Sequence, residues 1–455
     1  MIIDKDTRYS VAIIGAGPAG LFAARELASR GIHTTLLNRD IKPGGLAEYG
    51  IYPSKLRMKE GLRSQFRQIL AMQDISYYGN VLVGDWADCS LADLRGLGFH
   101  ALLVTVGAQS TKRLGLPGED ILGVYHAKDI VYHYNVLPPF SETTYQIGKR
   151  VAVIGVGNVM MDITHWLVEE QNVESVVAVA RRGPAEVKFD RKELESIIGF
   201  LDIQALQAEL DRVEPLMRAI GQDPADFMKM IQAAAGKVEN AFADPRFSLR
   251  FLASPARVLP GAHGRAASLE VEENMLVLSE DGETRPRGTG QHTLLDVDTV
   301  IFAIGDLVDS SIGLPMQYGQ FVKNLQPRFP IEGVSYEAYD PETGQVIPDT
   351  FLAGWARLPS TGLVGVARKD GTNAAQVIAQ YLQTLPPSDI TVESVEANLR
   401  RLMLKLNHPV VDKQALLRLE AIEHERAAER SLPYYKYATN QEMLEVLGLV
   451  PSREK

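Results

Sequence analysis

The apolar pattern changes period at the start of the chain and repeats that change later. Val11–Ile14 is a short continuous apolar run, Leu21–Ser29 spaces its apolar positions as a helix does, and His33–Leu37 is strand-like again. Strand, tight turn, helix, strand is the order of a βαβ unit, which opens a parallel sheet. The same order returns at Arg150–Ile154, Val159–Glu169 and Val176–Ala180. Two such units in 455 residues predict an α/β protein with two Rossmann-like domains. Further strands are expected at Ala101–Val106, Phe247–Leu252, Ser268–Glu273, Val300–Ile304 and Thr350–Gly354. Helices are expected over Glu209–Asn240, Thr372–Leu385 and most of the tail from Ser388. Leu56–Ala71 predicts an amphipathic helix with Met58, Leu62, Phe66 and Ile69 as its apolar stripe. Lys55, Lys59, Arg63 and Arg67 form a basic row beside that stripe.

Composition narrows the function. Hydrophobic residues make up 45% and charged residues 23%, as in ordinary globular chains. No apolar run approaches the roughly eighteen residues a membrane span needs. The short, mixed-charge N-terminus leaves no room for a signal peptide, so a cytoplasmic protein is expected. A net charge of −10 argues against nucleic acid as a partner. The single cysteine, Cys89, cannot make an internal disulfide, a redox dithiol pair or a cysteine-ligated cluster. Disulfide-reductase chemistry is thereby excluded. No histidine pairing suggests a metal site, and none is expected.

The turns carry the chemistry. In Gly15-Ala16-Gly17-Pro18-Ala19-Gly20, Gly15 permits the tight turn, Gly17 lets backbone approach a pyrophosphate, and Gly20 lets helix pack close to strand. The helix N-terminus then offers amides and a positive dipole end to the phosphates. The acidic residue that normally ends the second strand and binds a ribose hydroxyl is here Asn38. In the second turn Gly155 and Gly157 recur, followed by Asn158 and Val159, but the third small position is Met160. A methionine there is expected to hold the helix off the strand. Arg181-Arg182 stands where an acid would select NADH, and a guanidinium pair suits a 2′-phosphate instead, which predicts NADPH.

These motifs resemble the adrenodoxin-reductase type of ferredoxin–NADP reductase over most of the chain. The likeness includes Tyr78-Gly79-Asn80-Val81-Leu82-Val83-Gly84, Val106-Gly107-Ala108-Gln109 and Leu116-Pro117-Gly118-Glu119. It continues through Arg181-Arg182-Gly183-Pro184, Gly354-Trp355 and Pro359-Ser360-Thr361-Gly362-Leu363-Val364-Gly365 to Gln441–Gly448. The resemblance implies an FAD site at Pro18, Ala19, Asn38, Gly45, Leu46, Val83 and Gly107, with Gly354, Trp355, Gly362, Leu363 and Val364 returning to the flavin ring. It implies an NADP site at Gly157 to Met160, Arg181, Arg182 and Glu193. It also implies an NADP domain (111–325) inserted into a discontinuous FAD domain (1–110 and 326–455, the latter with a helical tail). Where that family carries Pro-Asp-His, this chain has Pro53-Ser54-Lys55, and Gly44-Gly45-Leu46 is more like the small subunit of glutamate synthase.

The expected activity is hydride transfer from NADPH to flavin, then release of single electrons to a small acidic carrier such as ferredoxin. No acid–base residue is required. The carrier is expected to dock on the row Lys55, Lys59, Arg63 and Arg67. The alternatives are an electron-input subunit of a larger complex, as in glutamate synthase, and a non-catalytic flavin-binding module. Bleaching of the flavin by NADPH separates an enzyme from a bare module.

Overall fold

The computed structural model describes residues 9–280 and 282–451. Two compact units emerge. The first comprises Met1–Thr111, Tyr132–Glu142 and Gly305–Lys455, and the second Lys112–Val131 and Thr143–Ile304. The breaks expected at 110 and 325 fall instead after 111 and 304, and Tyr132–Glu142 joins the first unit.

The first unit is built on a seven-stranded sheet in the order Glu337–Asp340, Gln345–Leu352, Ala101–Val104, Ser10–Ile14, His33–Asn38, Ile75–Gly79, Val411–Asp412. The inner five strands run parallel, and each edge strand is antiparallel to its neighbour. Ser10–Ile14 and Ala101–Val104 are buried throughout, as a parallel sheet covered on both faces requires. Helices Pro18–Ala28 and Val364–Leu382 pack tightly together, which Gly371 allows, since a Cβ there would lie 2.1 Å from the Ala19 carbonyl oxygen. The second of these helices starts at Val364, a full two turns before the predicted Thr372.

The second unit holds a five-stranded, all-parallel sheet in the order Val124–His126, Thr299–Phe302, Arg150–Ile154, Ser175–Val179, Phe247–Arg250. An antiparallel sheet of Ala253–Pro260, Ala266–Leu278 and Thr284–Leu295 accompanies it. The single helix expected over Glu209–Asn240 is two helices, Ile203–Arg218 and Ala225–Ala235. They are separated by Gly221 at φ +79°, and Asp202 caps the first by accepting the Gln204 and Ala205 amides. Among the described residues, no helix is long and apolar enough to cross a membrane.

Candidate functional site

In the first unit, the turn after Ser10–Ile14 lies at the carboxyl end of the parallel strands, where open α/β sheets bind ligands. Gly15 adopts φ +104°, and a Cβ there would meet the Thr105 carbonyl oxygen at 2.7 Å. A Cβ on Gly20 would fall 2.1 Å from the Gly15 oxygen, so helix and turn are in backbone contact. Thr105 pins the turn by donating its hydroxyl to Ile14 O at 3.0 Å and Gly15 O at 2.7 Å. Gly17 differs from both: a Cβ would meet nothing within 4 Å. It caps helix Pro18–Ala28 without a side-chain bond, and the first helical turn carries no acid. Open space, an uncapped helix start and no competing negative charge together fit a pyrophosphate. Gly45 crosses directly above, its Cβ position 3.1 Å from Gly17 Cα, and Gly44 N–H donates to Ala16 O at 2.7 Å.

Asn38 is buried, and its whole carboxamide is used inside the loop. Its Oδ1 accepts the Ala16 amide at 2.9 Å, while its Nδ2 donates to Asp40 O at 2.8 Å and Lys42 O at 3.0 Å. The residue at the ribose position therefore ties the glycine turn to the following loop. Among the remaining positions, Val83 is buried beside Cys89 in a short parallel bridge, Leu46 opens a four-residue helix, and Gly107 turns at φ +73°.

The late segment returns to this turn. A Cβ on Gly354, at φ +65°, would lie 2.8 Å from Ala19 Cβ. Gly354 N–H donates to Asp370 Oδ2 at 2.7 Å, and Arg357 clasps the same carboxylate at 2.5 and 3.1 Å. Trp355 is half-buried, and its indole N–H donates to Thr361 O at 2.9 Å. Gly362, Leu363 and Val364 lead into helix Val364–Leu382, whose start also lacks a side-chain cap. Leu363 stays 63% exposed. Sequence reasoning missed Asp370, Arg357 and Thr105. Their signal was faint: an acid and a base thirteen residues apart around a glycine-rich turn.

The basic row on helix Leu56–Leu70 is not a surface stripe. Lys59 is 2% exposed, and its ammonium donates to Asn135 Oδ1 at 2.6 Å and Ile51 O at 3.2 Å. Burial pushes its pKa down to about 7. Arg63 grips the Glu48 carboxylate at 2.6 and 2.8 Å, Arg67 pairs with Glu60, and Lys55 is half-buried. Met58, assigned to the apolar stripe, is instead 57% exposed. Glu48 is the hub of this cluster, since Lys436 also reaches it at 2.6 Å. Burial disfavours its charge, but Lys436, Arg63 and Lys42 outweigh that and hold its carboxyl well below the usual range. Lys59 and Arg63 are thus taken up by internal partners, whereas Arg67 pairs with Glu60 at the surface, and nothing in this geometry supports the row as a docking surface.

The second unit repeats the turn. Gly155 adopts φ +127° with its Cβ position 2.3 Å from Ala303 O, and Gly157 again faces open space. Helix Asn158–Glu169 starts at Gly157 without a side-chain cap or an acid in its first turn. Met160 does not obstruct the turn: it is fully buried on the inner face of the helix, its sulfur accepting the Thr164 hydroxyl. Asn158 is tied to Asp190, and Val159 is 42% exposed. Arg181 and Arg182 follow the strand Ser175–Val179. Arg181 is exposed, its backbone held by Asn274, and Arg182 lies 3.8 Å from Glu186. Glu193 is half-buried on helix Arg191–Ile197.

Two glycine turns of this form can be set beside known proteins. Residues 9–196 match the family described as pyridine nucleotide-disulphide oxidoreductase. NADPH:adrenodoxin oxidoreductase of Arabidopsis thaliana is 26% identical over 95% of this chain and 94% of its own length. The Bos taurus protein of that name is 27% identical over 96% and 92%. The chain is similar to NADPH:adrenodoxin oxidoreductases over almost its whole length. NADPH-ferredoxin reductase FprA of Mycobacterium tuberculosis (strain H37Rv) is 27% identical over 82% of the chain and 84% of the relative. The structure of Mycobacterium tuberculosis FprA in complex with NADPH superposes with a TM-score of 0.78 at 24% identity, covering 97% of this chain and 100% of that one. That superposition bears on fold. The α/β architecture with two dinucleotide-type units, expected from the two βαβ patterns, is the one observed.

Proposed function

We propose that the chain is a flavoprotein oxidoreductase that takes electrons from NADPH and delivers them singly to a ferredoxin-type carrier protein. One observation carries this reading: each unit presents its own uncapped helix start beneath an open glycine turn, at Gly17 and at Gly157. FAD belongs to the first turn and NADP(H) to the second, where Arg181 and Arg182 supply positive charge. Bound FAD supplies the step from a two-electron donor to one-electron release. The protein's own residues bind and orient. Thr105, Asn38 and the Arg357–Asp370 pair hold three backbone segments around the first turn. With Cys89 the only cysteine, and buried with its thiol pushed up to about 12, a dithiol relay has no place in the reaction. The names of the similar proteins support the donor and the class of carrier.

The test is an anaerobic titration of the purified, flavin-loaded protein. NADPH bleaches the flavin absorbance stoichiometrically and NADH does so poorly. Added ferredoxin then recovers the colour. A preparation that cannot be loaded with flavin, or a flavin that NADPH leaves oxidised, refutes the proposal.

A further inference from the structure

Lys188 belongs to neither glycine-turn motif, yet the backbone places it against the second turn. Its amide donates to Val156 O at 2.9 Å, and Gly157 and Lys188 form a parallel bridge. Asn158 fastens the same strap: its Nδ2 donates to Asp190 Oδ2 at 2.8 Å and its Oδ1 accepts the Asp190 amide at 2.7 Å. Residues paired across a parallel bridge project from the same face, with backbones about 4.8 Å apart. Gly157 has no side chain, and a Cβ there would meet nothing within 4 Å. The stem of Lys188 therefore rises beside the open space over Gly157, and Lys188 is exposed. Among the described residues its ammonium enters no hydrogen bond or ion pair. Of the two carboxylates that flank it on the strap, Asp190 is turned to Asn158 and Glu186 to the Gly183 amide.

We propose that Lys188 binds the bridging pyrophosphate of the nicotinamide dinucleotide, as a cation separate from the Arg181–Arg182 pair that meets the 2′-phosphate. This rests on reading the second turn as the NADP(H) cradle. A lysine suits this role because it is a compact point charge on a flexible stem, able to follow a phosphate without demanding a fixed plane. The two groups of cations then divide the ligand. Arg181 and Arg182 discriminate NADPH from NADH, whereas Lys188 adds affinity for the part that both share.

Equilibrium binding of NADP+ and of 2′-AMP to the oxidised, flavin-loaded protein tests the division, because 2′-AMP has the 2′-phosphate but no pyrophosphate. Lys188→Ala weakens NADP+ roughly tenfold, the scale of one charge-assisted hydrogen bond, and leaves 2′-AMP unchanged. Lys188→Arg restores most of the NADP+ affinity, while Arg182→Ala weakens both ligands. Lys188 is exposed, so the variants keep their fold, and melting temperature and flavin content verify it. Unchanged NADP+ affinity in Lys188→Ala, or a parallel loss for both ligands, overturns the assignment. A wild-type protein that binds neither ligand overturns instead the NADPH reading on which it rests.

Discussion

Asn38 offers the sharpest test of how the first turn is held. By motif alone, Asn38→Asp restores the acid that grips a ribose hydroxyl and should tighten FAD binding. The geometry says the opposite. Oδ1 can still accept the Ala16 amide after the substitution, but Nδ2 disappears, and with it the donors to Asp40 O and Lys42 O. Two hydrogen bonds at about 1 kcal/mol each are lost, and a carboxylate only 7% exposed then faces two carbonyl oxygens. Adding the cost of those unpaired acceptors, the expected destabilisation is about 2–4 kcal/mol at pH 8. The pH dependence follows from the sign. Burial and the two carbonyls raise the new carboxyl above its unfolded value of about 3.9, so the variant is least impaired near pH 4 and loses stability as pH rises past it. Urea unfolding at pH 8 and near pH 4.5, with flavin release followed by fluorescence, measures both effects. A variant as stable as wild type, or one that holds FAD more tightly, refutes the reasoning.

Removing the Glu48 charge leaves three cations in the interior without their shared anion, so Glu48→Gln should cost about 3–5 kcal/mol, read by urea unfolding at neutral pH. Because its carboxyl is held low in the fold, the stability it contributes is present above about pH 4.5 and fades as pH falls, so the variant's acid limb should flatten. Lys59 works in the other direction. Its folded pKa of about 7 lies below the unfolded value of 10.5, so the unfolded chain binds more protons between them and stability rises with pH there. Wild type should therefore gain on Lys59→Met from about pH 7 toward pH 10, and parallel pH profiles would contradict this. Replacing Arg181 and Arg182 together by alanine should raise the NADPH dissociation constant roughly a hundredfold, at about tenfold per lost contact, and leave NADH unchanged. Equal losses for both nucleotides would reject the 2′-phosphate role.

How legible these features were depends on where each residue finds its partner. The glycine turns were readable because Gly15, Gly20 and Gly155 answer to backbone within the same βαβ unit or its neighbouring strand, and the demand for no Cβ is written as glycine. Asn38 was readable as a position but not as a role. Its partners are backbone carbonyls two and four residues on, and any residue type supplies a carbonyl. Of the antiparallel sheet in the second unit, the middle strand was expected at Ser268–Glu273, but its edge strand escaped notice for a different reason. Thr284–Leu295 is exposed along nearly its whole length, so it shows no apolar alternation, and pairing with Ala266–Leu278 alone makes it a strand.

Helix Leu56–Leu70 shows why charge spacing on one helix does not establish a surface. Four cations at every fourth position define one face, and solvation of that face was the simplest expectation. Which face meets water is settled by what packs on it, and here the partners come from outside the helix: Asn135 for Lys59, Glu48 for Arg63. Each is a single polar residue in a segment with no charge pattern of its own. Burying Lys59 is possible because two oxygens are ready to accept from it, and burying Arg63 because a carboxylate receives it in two bonds. The same logic separates these cations from Lys188, whose backbone is fixed by Gly157 but whose ammonium meets no acceptor among the described residues. A cation with internal partners stabilises the fold, whereas one held beside an open glycine turn without a partner remains available to an anionic ligand.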